Sequence, residues 1–305
     1  MKDKKIYQTV LLTGSSGMLG TSIYQELINH YKIYGVDITA SNHIPPSDQF
    51  VGDLTDKSFL HNLLNNIKPE IIIHCAAIVN LKQCEEDKSV TDALHLDVTK
   101  ELAAYSEARI VFISSDSVFD GEKGNYKETD STNPVNYYGL SKLLGEEIVR
   151  ENPDHLILRT NIIGFSIPLK NSITEWAIKS ILNGESITGF EDVYFTPIYT
   201  KHLAKTLTGL LEKNIRGTLH VASSNRLSKY SFLKYLESRL INKSQYVEPV
   251  DSSTIKLHPQ RPKDPTLNVS LLQEMIKAPT IEQGIDDLLE DYFSSSVKKG
   301  QYVEN

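Results

Sequence analysis

Cysteine and excess positive charge are both scarce in this sequence of 305 residues. The two cysteines, Cys75 and Cys84, lie in neither a Cys-x-x-Cys nor a Cys/His spacing, so no disulfide framework or zinc site is indicated and we expect no metal. Lys and Arg number 32 against 39 Asp and Glu, a formal charge of -7. This balance argues against a phosphate-neutralising surface for nucleic acid and leaves a small molecule as the expected partner.

Long apolar runs are also missing. The opening "MKDKKIYQTV" lacks the apolar run of a signal peptide, and no later stretch approaches the length of a membrane span. We therefore expect a cytoplasmic protein that does not enter a membrane. The hydrophobic content of 40% is enough to bury the core of one large domain, or of one domain and a smaller partner.

Short apolar runs alternate with amphipathic stretches through the first half of the chain. "TVLLTG", "KIYGVD", "EIIIHCAA" and "RIVFISS" read as strands, and "LGTSIYQELINHY" reads as a helix between the first two. This alternation predicts an α/β protein with a doubly wound parallel sheet over residues 1–164. Residues 165–293 predict a smaller α/β lobe that faces the substrate and whose chain can cross back to the sheet, and residues 294–305 predict a flexible tail.

A glycine-rich loop joins the first strand to the first helix. Glycines at this point let the backbone turn tightly and approach a pyrophosphate, whose charge meets free amides at the helix N-terminus. A tight turn without a ligand is the alternative, but the strand, loop and helix all fall where a dinucleotide needs them. The cofactor-binding residues predicted here are Gly14, Ser16, Gly17, Met18, Leu19 and Gly20.

Asp37 ends the second predicted strand, close to the offset at which a carboxylate grips the ribose hydroxyls of a dinucleotide. The same carboxylate repels a 2′-phosphate. The first arginine in the chain is Arg109, so the guanidinium that commonly clamps NADP is absent from this region. The pattern favours NAD(H), while NADP(H) stays open because Ser41, Asn42 and His43 can accept a phosphate.

Two adjacent tyrosines open the helix predicted in "NPVNYYGLSKLLGEE". Residues four apart share a helix face, so Lys142 accompanies Tyr138, and Tyr137 points elsewhere. A tyrosine has a pKa near 10, and a neighbouring cation favours its phenolate. Tyr138 is therefore the predicted proton donor or acceptor, and Lys142 the cation that supports it and can bond the nicotinamide ribose.

These motifs resemble those of known enzymes. The tyrosine-lysine pair, the glycine loop and "FISSDSVFDG" together resemble the extended short-chain dehydrogenase/reductases, and more narrowly their dTDP-4-dehydrorhamnose reductase branch. The resemblance implies a Rossmann-like first domain and a catalytic serine after the fifth strand, which is Ser115. Because side chains alternate along a strand, its neighbour Ser114 is expected to face away. Ser115 would bond the substrate carbonyl while Tyr138 donates the proton and the cofactor supplies hydride.

Further contacts are implied by the resemblance alone. Near the cofactor it implies Asp53 and Leu54 on the adenine side and the small residues Ala76 and Ala77. In the substrate pocket it implies Asp116, Asn136 and Arg261, the last pairing with a sugar-nucleotide diphosphate unless it is an ordinary surface arginine. A homodimer is also implied. Where the reductase branch often has Arg-Thr-x-Trp, this chain has Arg-Thr-Asn-Ile at 159–162, which leaves the sugar open.

Three activities remain from this reading. The first is an NAD(P)H-dependent reductase that acts on the 4-keto group of a nucleotide-activated deoxysugar. The second is a nucleotide-sugar 4-epimerase, whereas a dehydratase is disfavoured because Asp116 is followed by Ser117 and not by a glutamate. The third is a non-catalytic, cofactor-binding regulatory subunit.

Overall fold

A computed structural model describes residues 8–166, 169, 172–241, 245–255 and 257–294. The strands of these residues are β1 Thr9–Thr13, β2 Lys32–Asp37, β3 Gln49–Val51, β4 Ile71–His74, β5 Arg109–Ser115, β6 Leu156–Thr160, β7 Ile162–Ile163, β8 Ile187–Phe190, β9 Tyr194–Phe195, β10 Ile198–Tyr199, β11 Gly217–His220, β12 Leu227–Ser228 and β13 Val247–Val250. The helices are α1 Met18–Leu27, α2 Lys57–Ile67, α3 Leu81–Glu86, α4 Lys88–Asp92, α5 Val98–Ala103, α6 Tyr137–Arg150, α7 Ile173–Leu182, α8 Thr200–Glu212, α9 Lys229–Ile241, α10 Ser270–Gln273 and α11 Ile281–Ser294. A π-helical turn at Ala93–Asp97 joins α4 to α5.

Seven strands form a parallel central sheet in the order β11-β6-β5-β4-β1-β2-β3. The apolar run in β1 reflects burial on both faces: Val10 and Leu12 pack into one hydrophobic cluster, and Leu11 packs into another across the sheet. The chain winds outward in both directions from β1 and β4, which confirms the doubly wound α/β prediction. A crevice forms where such a sheet reverses its strand order, at the carboxyl ends of the strands.

A second hydrophobic core supports the smaller lobe. It contains Ile178 of α7, Phe232 of α9 and Ile285 of α11, all fully buried. Short strand pairs lie against these helices, among them β8 with β13 and β9 with β12. This core is separate from the two clusters that cover the central sheet, as expected for a distinct lobe.

The chain does cross back from the lobe to the sheet. Strand β11 pairs with β6 as the seventh sheet strand, and α8 packs on α1 through Leu203, Ala204 and Leu207. Helix α8 and strand β11 therefore pack with the central sheet and its helices, although they follow residue 164. The division of the chain at that residue stays a prediction. Of the predicted tail, 295–305 lie outside the described residues. None of the helices described is long and apolar enough to span a membrane.

Candidate active site

A cavity of about 1330 Å³ opens in the crevice at the carboxyl ends of the central strands. All the predicted cofactor-binding residues line it, together with Ser115, Asp116 and Arg261, while Asn136 does not. Pockets for one small ligand measure about 300–1,000 Å³, so this cavity has room for a dinucleotide and a second molecule. Over the described ranges, no group of three or more His, Cys, Asp or Glu side chains is arranged to hold a metal ion.

The glycine loop forms a cradle for a phosphate group. Gly14 has φ +67°, and a Cβ atom there would lie 2.8 Å from the backbone nitrogen of Ala76. A Cβ on Gly20 would collide with the Gly14 carbonyl oxygen. Gly17 caps α1 without a side-chain hydrogen bond, so the first N–H groups of the helix remain for a ligand. Small residues, free amides and a helix N-terminus fit the diphosphate of a dinucleotide.

Asp37 joins the end of β2 to this loop. Its Oδ2 accepts a hydrogen bond from the backbone N–H of Ser16 at 3.0 Å, and its Oδ1 accepts from that of Ile38 at 2.7 Å. The half-buried carboxylate still lines the cavity, so it can reach a ribose. Asp53 also lines the cavity, but its Oδ1 accepts from the backbone and hydroxyl of Thr55 at 2.9 and 2.8 Å, which closes a local turn.

The structure separates the two tyrosines that open α6. The Tyr137 hydroxyl donates to both Oδ atoms of Asp92 at 2.8 Å, and the Lys88 ammonium lies 4.7 Å from the Tyr137 ring centroid. Tyr137 does not line the cavity, whereas Tyr138 and Lys142 do. The helix-face argument therefore agrees with where the three side chains lie.

Burial sets the protonation of Tyr138 and Lys142. It raises the pKa of Tyr138 to about 12, although the Ser115 hydroxyl acts in the opposite direction. It lowers the pKa of Lys142 to about 8, and the Lys142 ammonium lies 4.3 Å from the ring centroid of Phe112. At neutral pH Tyr138 thus carries a proton that it can donate, while Lys142 keeps its charge.

The neighbouring serines of β5 have different partners. The Ser114 hydroxyl donates to Oε1 of fully buried Glu146 at 2.5 Å, and the Arg159 guanidinium binds the same carboxylate at 2.7–3.2 Å. The Ser115 hydroxyl donates to Oδ1 of Asp116 at 3.1 Å. Both serines contribute to the cavity wall, so the expectation that Ser114 faces away from the site is wrong. Ser114 is nevertheless held by the buried ion pair, so Ser115 is the serine that can bond a ligand.

Asn136 requires a correction to its expected place in the substrate pocket. Its Oδ1 accepts from the Gly139 backbone N–H at 2.9 Å and caps α6, while its Nδ2 donates to the Gln260 carbonyl at 2.9 Å. Both polar ends of the amide are therefore used within the protein, away from the cavity wall. Asn136 instead anchors the loop whose next residue, Arg261, lines the cavity.

Two residues near Asp116 were not anticipated from the sequence. Asn161 lines the cavity and donates through Nδ2 to Oδ2 of Asp116 at 2.6 Å. Burial raises the pKa of Asp116, and its hydrogen bonds and the Lys229 charge oppose that rise. Lys229 places its ammonium 3.2 Å from the ring centroid of Phe195, and burial lowers the pKa of Lys229 to about 7. The tertiary fold brings both residues near Asp116, and no local motif marks either of them.

Two known proteins are similar to this chain in sequence over most of its length. The chain is 31% identical over 302 residues to the probable low-salt glycan biosynthesis reductase Agl14 of Haloferax volcanii, covering 93% of this chain and 97% of the relative. It is 28% identical over 278 residues to methionine adenosyltransferase 2 subunit beta of Bos taurus, covering 87% and 82%.

Solved structures of similar fold include a reductase of the same kind as the sequence motifs indicated. dTDP-4-dehydrorhamnose reductase from Bacillus anthracis in complex with NADP is similar with a TM-score of 0.84 and 27% identity over 94% of this chain and 100% of the other. The enzyme WbmH of Bordetella bronchiseptica in complex with NAD+ has a TM-score of 0.78 at 16% identity over 95% and 99%, which supports the fold alone. The resemblance drawn from the sequence is thereby confirmed. The RmlD substrate binding domain model matches residues 8–294, and the chain belongs to that family.

Proposed function

We propose that this protein is a nicotinamide-dependent reductase of the 4-keto group of a nucleotide-activated deoxysugar. The observation that carries the proposal is that Ser115, Tyr138 and Lys142 line the same cavity as the phosphate cradle. The reductases named among its relatives and structural neighbours support it. A volume of about 1330 Å³ accommodates both a cofactor and a nucleotide sugar.

Three side chains perform the acid chemistry. Ser115 donates a hydrogen bond to the 4-keto oxygen and orients the carbonyl, and Tyr138 transfers its phenolic proton to that oxygen as the alcohol forms. Lys142, charged below about pH 8, stabilises the phenolate that Tyr138 becomes. The hydride that reaches the carbonyl carbon comes from a reduced nicotinamide when that cofactor is bound. One hydride and one proton thus convert the ketone to an alcohol.

The cofactor proposed is NAD(H) in preference to NADP(H). The support is Asp37, whose carboxylate lies beside the phosphate cradle and is bonded to Ser16. A carboxylate binds ribose hydroxyls and repels a 2′-phosphate. The neighbouring structures hold NADP in one case and NAD+ in another, so both cofactors belong in the test.

A regulatory subunit is the second candidate, because one group of relatives carries the name methionine adenosyltransferase 2 subunit beta. The three catalytic side chains, with the raised pKa of Tyr138 and the lowered pKa of Lys142, favour the reductase, since a regulatory subunit has no need of them. A 4-epimerase needs the same three groups and is separated by its chemistry: it consumes no reduced cofactor overall. A cytoplasmic location and a homodimer remain proposals, and light scattering tests the second.

The test is a cofactor-consumption assay. Purified protein is mixed with NADH, or separately with NADPH, and a panel of 4-keto-6-deoxy nucleotide sugars, while absorbance at the nicotinamide band is followed. We expect one sugar to drive consumption, NADH to be the better cofactor, and Ser115→Ala to remove most of the rate. Absence of consumption from the whole panel, with cofactor binding shown by calorimetry, contradicts the reductase and favours the epimerase or the regulatory subunit.

A further inference from the structure

Two buried histidines lie behind the cavity without lining it. His74 ends β4 and His95 lies in the π-helical turn, and each has 2% of its surface exposed. Burial and the charge of Lys142 lower the pKa of both to about 3. Each ring is therefore neutral at physiological pH, with one N–H donor and one nitrogen acceptor.

The partners of His74 determine which nitrogen carries its hydrogen. The Thr99 hydroxyl donates to the His95 carbonyl at 2.6 Å, so the same oxygen accepts from Nε2 of His74 at 3.2 Å. Nδ1 of His74 is then an acceptor and receives the Thr13 hydroxyl hydrogen at 2.7 Å. The Thr13 oxygen accepts in turn from the two backbone amides that follow His74, each at 3.2 Å. These bonds fix the start of the loop after β4.

The partners of His95 are equally definite. The backbone N–H of Ile78 donates to Nε2 at 2.8 Å, so Nδ1 carries the hydrogen and donates to the Ser141 hydroxyl at 2.8 Å. Ser141 passes its own hydrogen to the Tyr138 carbonyl at 2.9 Å. The His95 ring also meets the Tyr138 ring edge-on, with centroids 6.2 Å apart. One imidazole therefore bonds the loop after β4 through one nitrogen and the helix of Tyr138 through the other.

Both ends of this connection lie at the cavity. The loop residues Cys75–Ile78 line it, and the Ala76 nitrogen lies close to the phosphate cradle at Gly14. On the other side, Tyr138 and Lys142 project from α6. The π-helical turn packs directly on α6, and such turns are frequent at functional sites. Ser141 and His95 are both buried from solvent, so water does not replace these bonds.

We propose that His95 is a positioning residue that holds the cofactor-facing loop Cys75–Ile78 in register with the catalytic helix α6. It bonds neither substrate nor cofactor and acts through Ile78 and Ser141. The inference rests on the proposed function, because the relative position of the loop and α6 matters when a cofactor bound against the loop must meet Tyr138.

Two substitutions separate the two bonds. In His95→Asn the amide nitrogen takes the place of Nδ1 and can still donate to Ser141, but nothing reaches Ile78. In His95→Gln the amide oxygen takes the place of Nε2 and can still accept from Ile78, but the donor to Ser141 is lost. Loss of one buried hydrogen bond corresponds to about a tenfold change in an equilibrium or a rate.

The two histidine variants should affect different quantities, one the binding of the cofactor and the other the turnover. His95→Asn should raise the dissociation constant of NAD+ about tenfold in calorimetry and speed amide exchange at Ile78, with kcat at saturating cofactor nearly unchanged. His95→Gln should leave the dissociation constant and the Ile78 exchange as they are and lower kcat about tenfold. Ser141→Ala, a smaller change, should reproduce the His95→Gln pattern and serves if either histidine variant fails to fold.

A matched control is His155→Asn. His155 is also a buried histidine, with 4% of its surface exposed, but it does not line the cavity. Its Nδ1 accepts a hydrogen bond of 3.2 Å from the Ile110 backbone N–H. It should lower the melting temperature while leaving both the cofactor constant and kcat unchanged. The inference is overturned if the dissociation constant and kcat change together in every variant, in proportion to the loss of melting temperature. A wild-type protein without turnover overturns the proposed function instead, and the calorimetry and exchange results still decide the role of His95.

Discussion

Replacing Tyr138 with phenylalanine removes the proposed proton donor and little else. The ring that meets His95 edge-on is kept, and the phosphate cradle is untouched. Since burial holds the pKa of Tyr138 at about 12, the phenol is protonated throughout the neutral range, and its loss removes general acid catalysis completely. That catalysis contributes roughly 10²–10⁴-fold, or about 3–5.5 kcal/mol of the barrier. We expect kcat to fall by that factor and the cofactor dissociation constant to stay nearly constant.

The neighbouring tyrosine supplies the matched control. Tyr137→Phe loses the hydrogen bonds to Asp92 outside the cavity, which should lower the free energy of unfolding by about 1 kcal/mol. In a chain of this size the melting temperature should fall by about 1–2 °C, with kcat unchanged. The assay is steady-state consumption of reduced cofactor, with calorimetry for binding and a thermal melt. Equal losses of kcat in the two variants would refute the assignment of the two helix faces.

Three further predictions concern charged side chains in or beside the cavity. Asp37→Ala should raise the dissociation constant of NADH more than that of NADPH, and an unchanged preference in calorimetry removes Asp37 from the ribose site. Because Lys142 is charged only below about pH 8, kcat/KM should decrease as the pH rises through that value; Lys142→Arg should lack this decrease in whatever activity it retains, and a flat wild-type profile contradicts the role of the charge. Lys229 does not line the cavity, but its charge acts on Asp116, which does. Lys229→Met should therefore keep the packing on Phe195 and, through Asp116, raise KM for the sugar nucleotide about tenfold with cofactor binding unchanged; an unchanged KM removes Lys229 from substrate binding.

The local parts of the site were readable from the sequence. The four-residue spacing of Tyr138 and Lys142 is a property of any α-helix, and the glycine loop follows from its place between a strand and a helix. Each of these features needs only neighbours within a few residues, so one sequence suffices. The parallel sheet was likewise expected from the alternation of strands and helices.

Contacts between distant parts of the chain were not readable. The Asn161 amide meets Asp116 across 45 residues, and His95 meets Ser141 across 46. No propensity or spacing marks such pairs, because the tertiary fold alone brings them together. The pairing of β11 with β6 is non-local in the same way, so the sequence indicated that the chain can return to the sheet but not which strand would do so.

Asn136 shows a different difficulty. An asparagine before a helix is equally suited to cap it and to bind a sugar hydroxyl, and the resemblance favoured the second role. In the structure Oδ1 is used by the Gly139 amide and Nδ2 by the Gln260 carbonyl. The residue type was informative, but the choice between its two uses depended on which loop packs above the helix.

The most direct test of the central claim follows the hydride itself. The protein is incubated with the active sugar nucleotide from the panel and NADH deuterated at the transferring position of the nicotinamide, and the product is examined by mass spectrometry and NMR. We predict a product that carries one deuterium on the sugar carbon that bore the 4-keto group, with one equivalent of NAD+ formed, and formation of both products slowed about 10²–10⁴-fold in Tyr138→Phe. A sugar product without deuterium, or an unchanged sugar and unconsumed NADH, would contradict the claim that this protein is a ketoreductase.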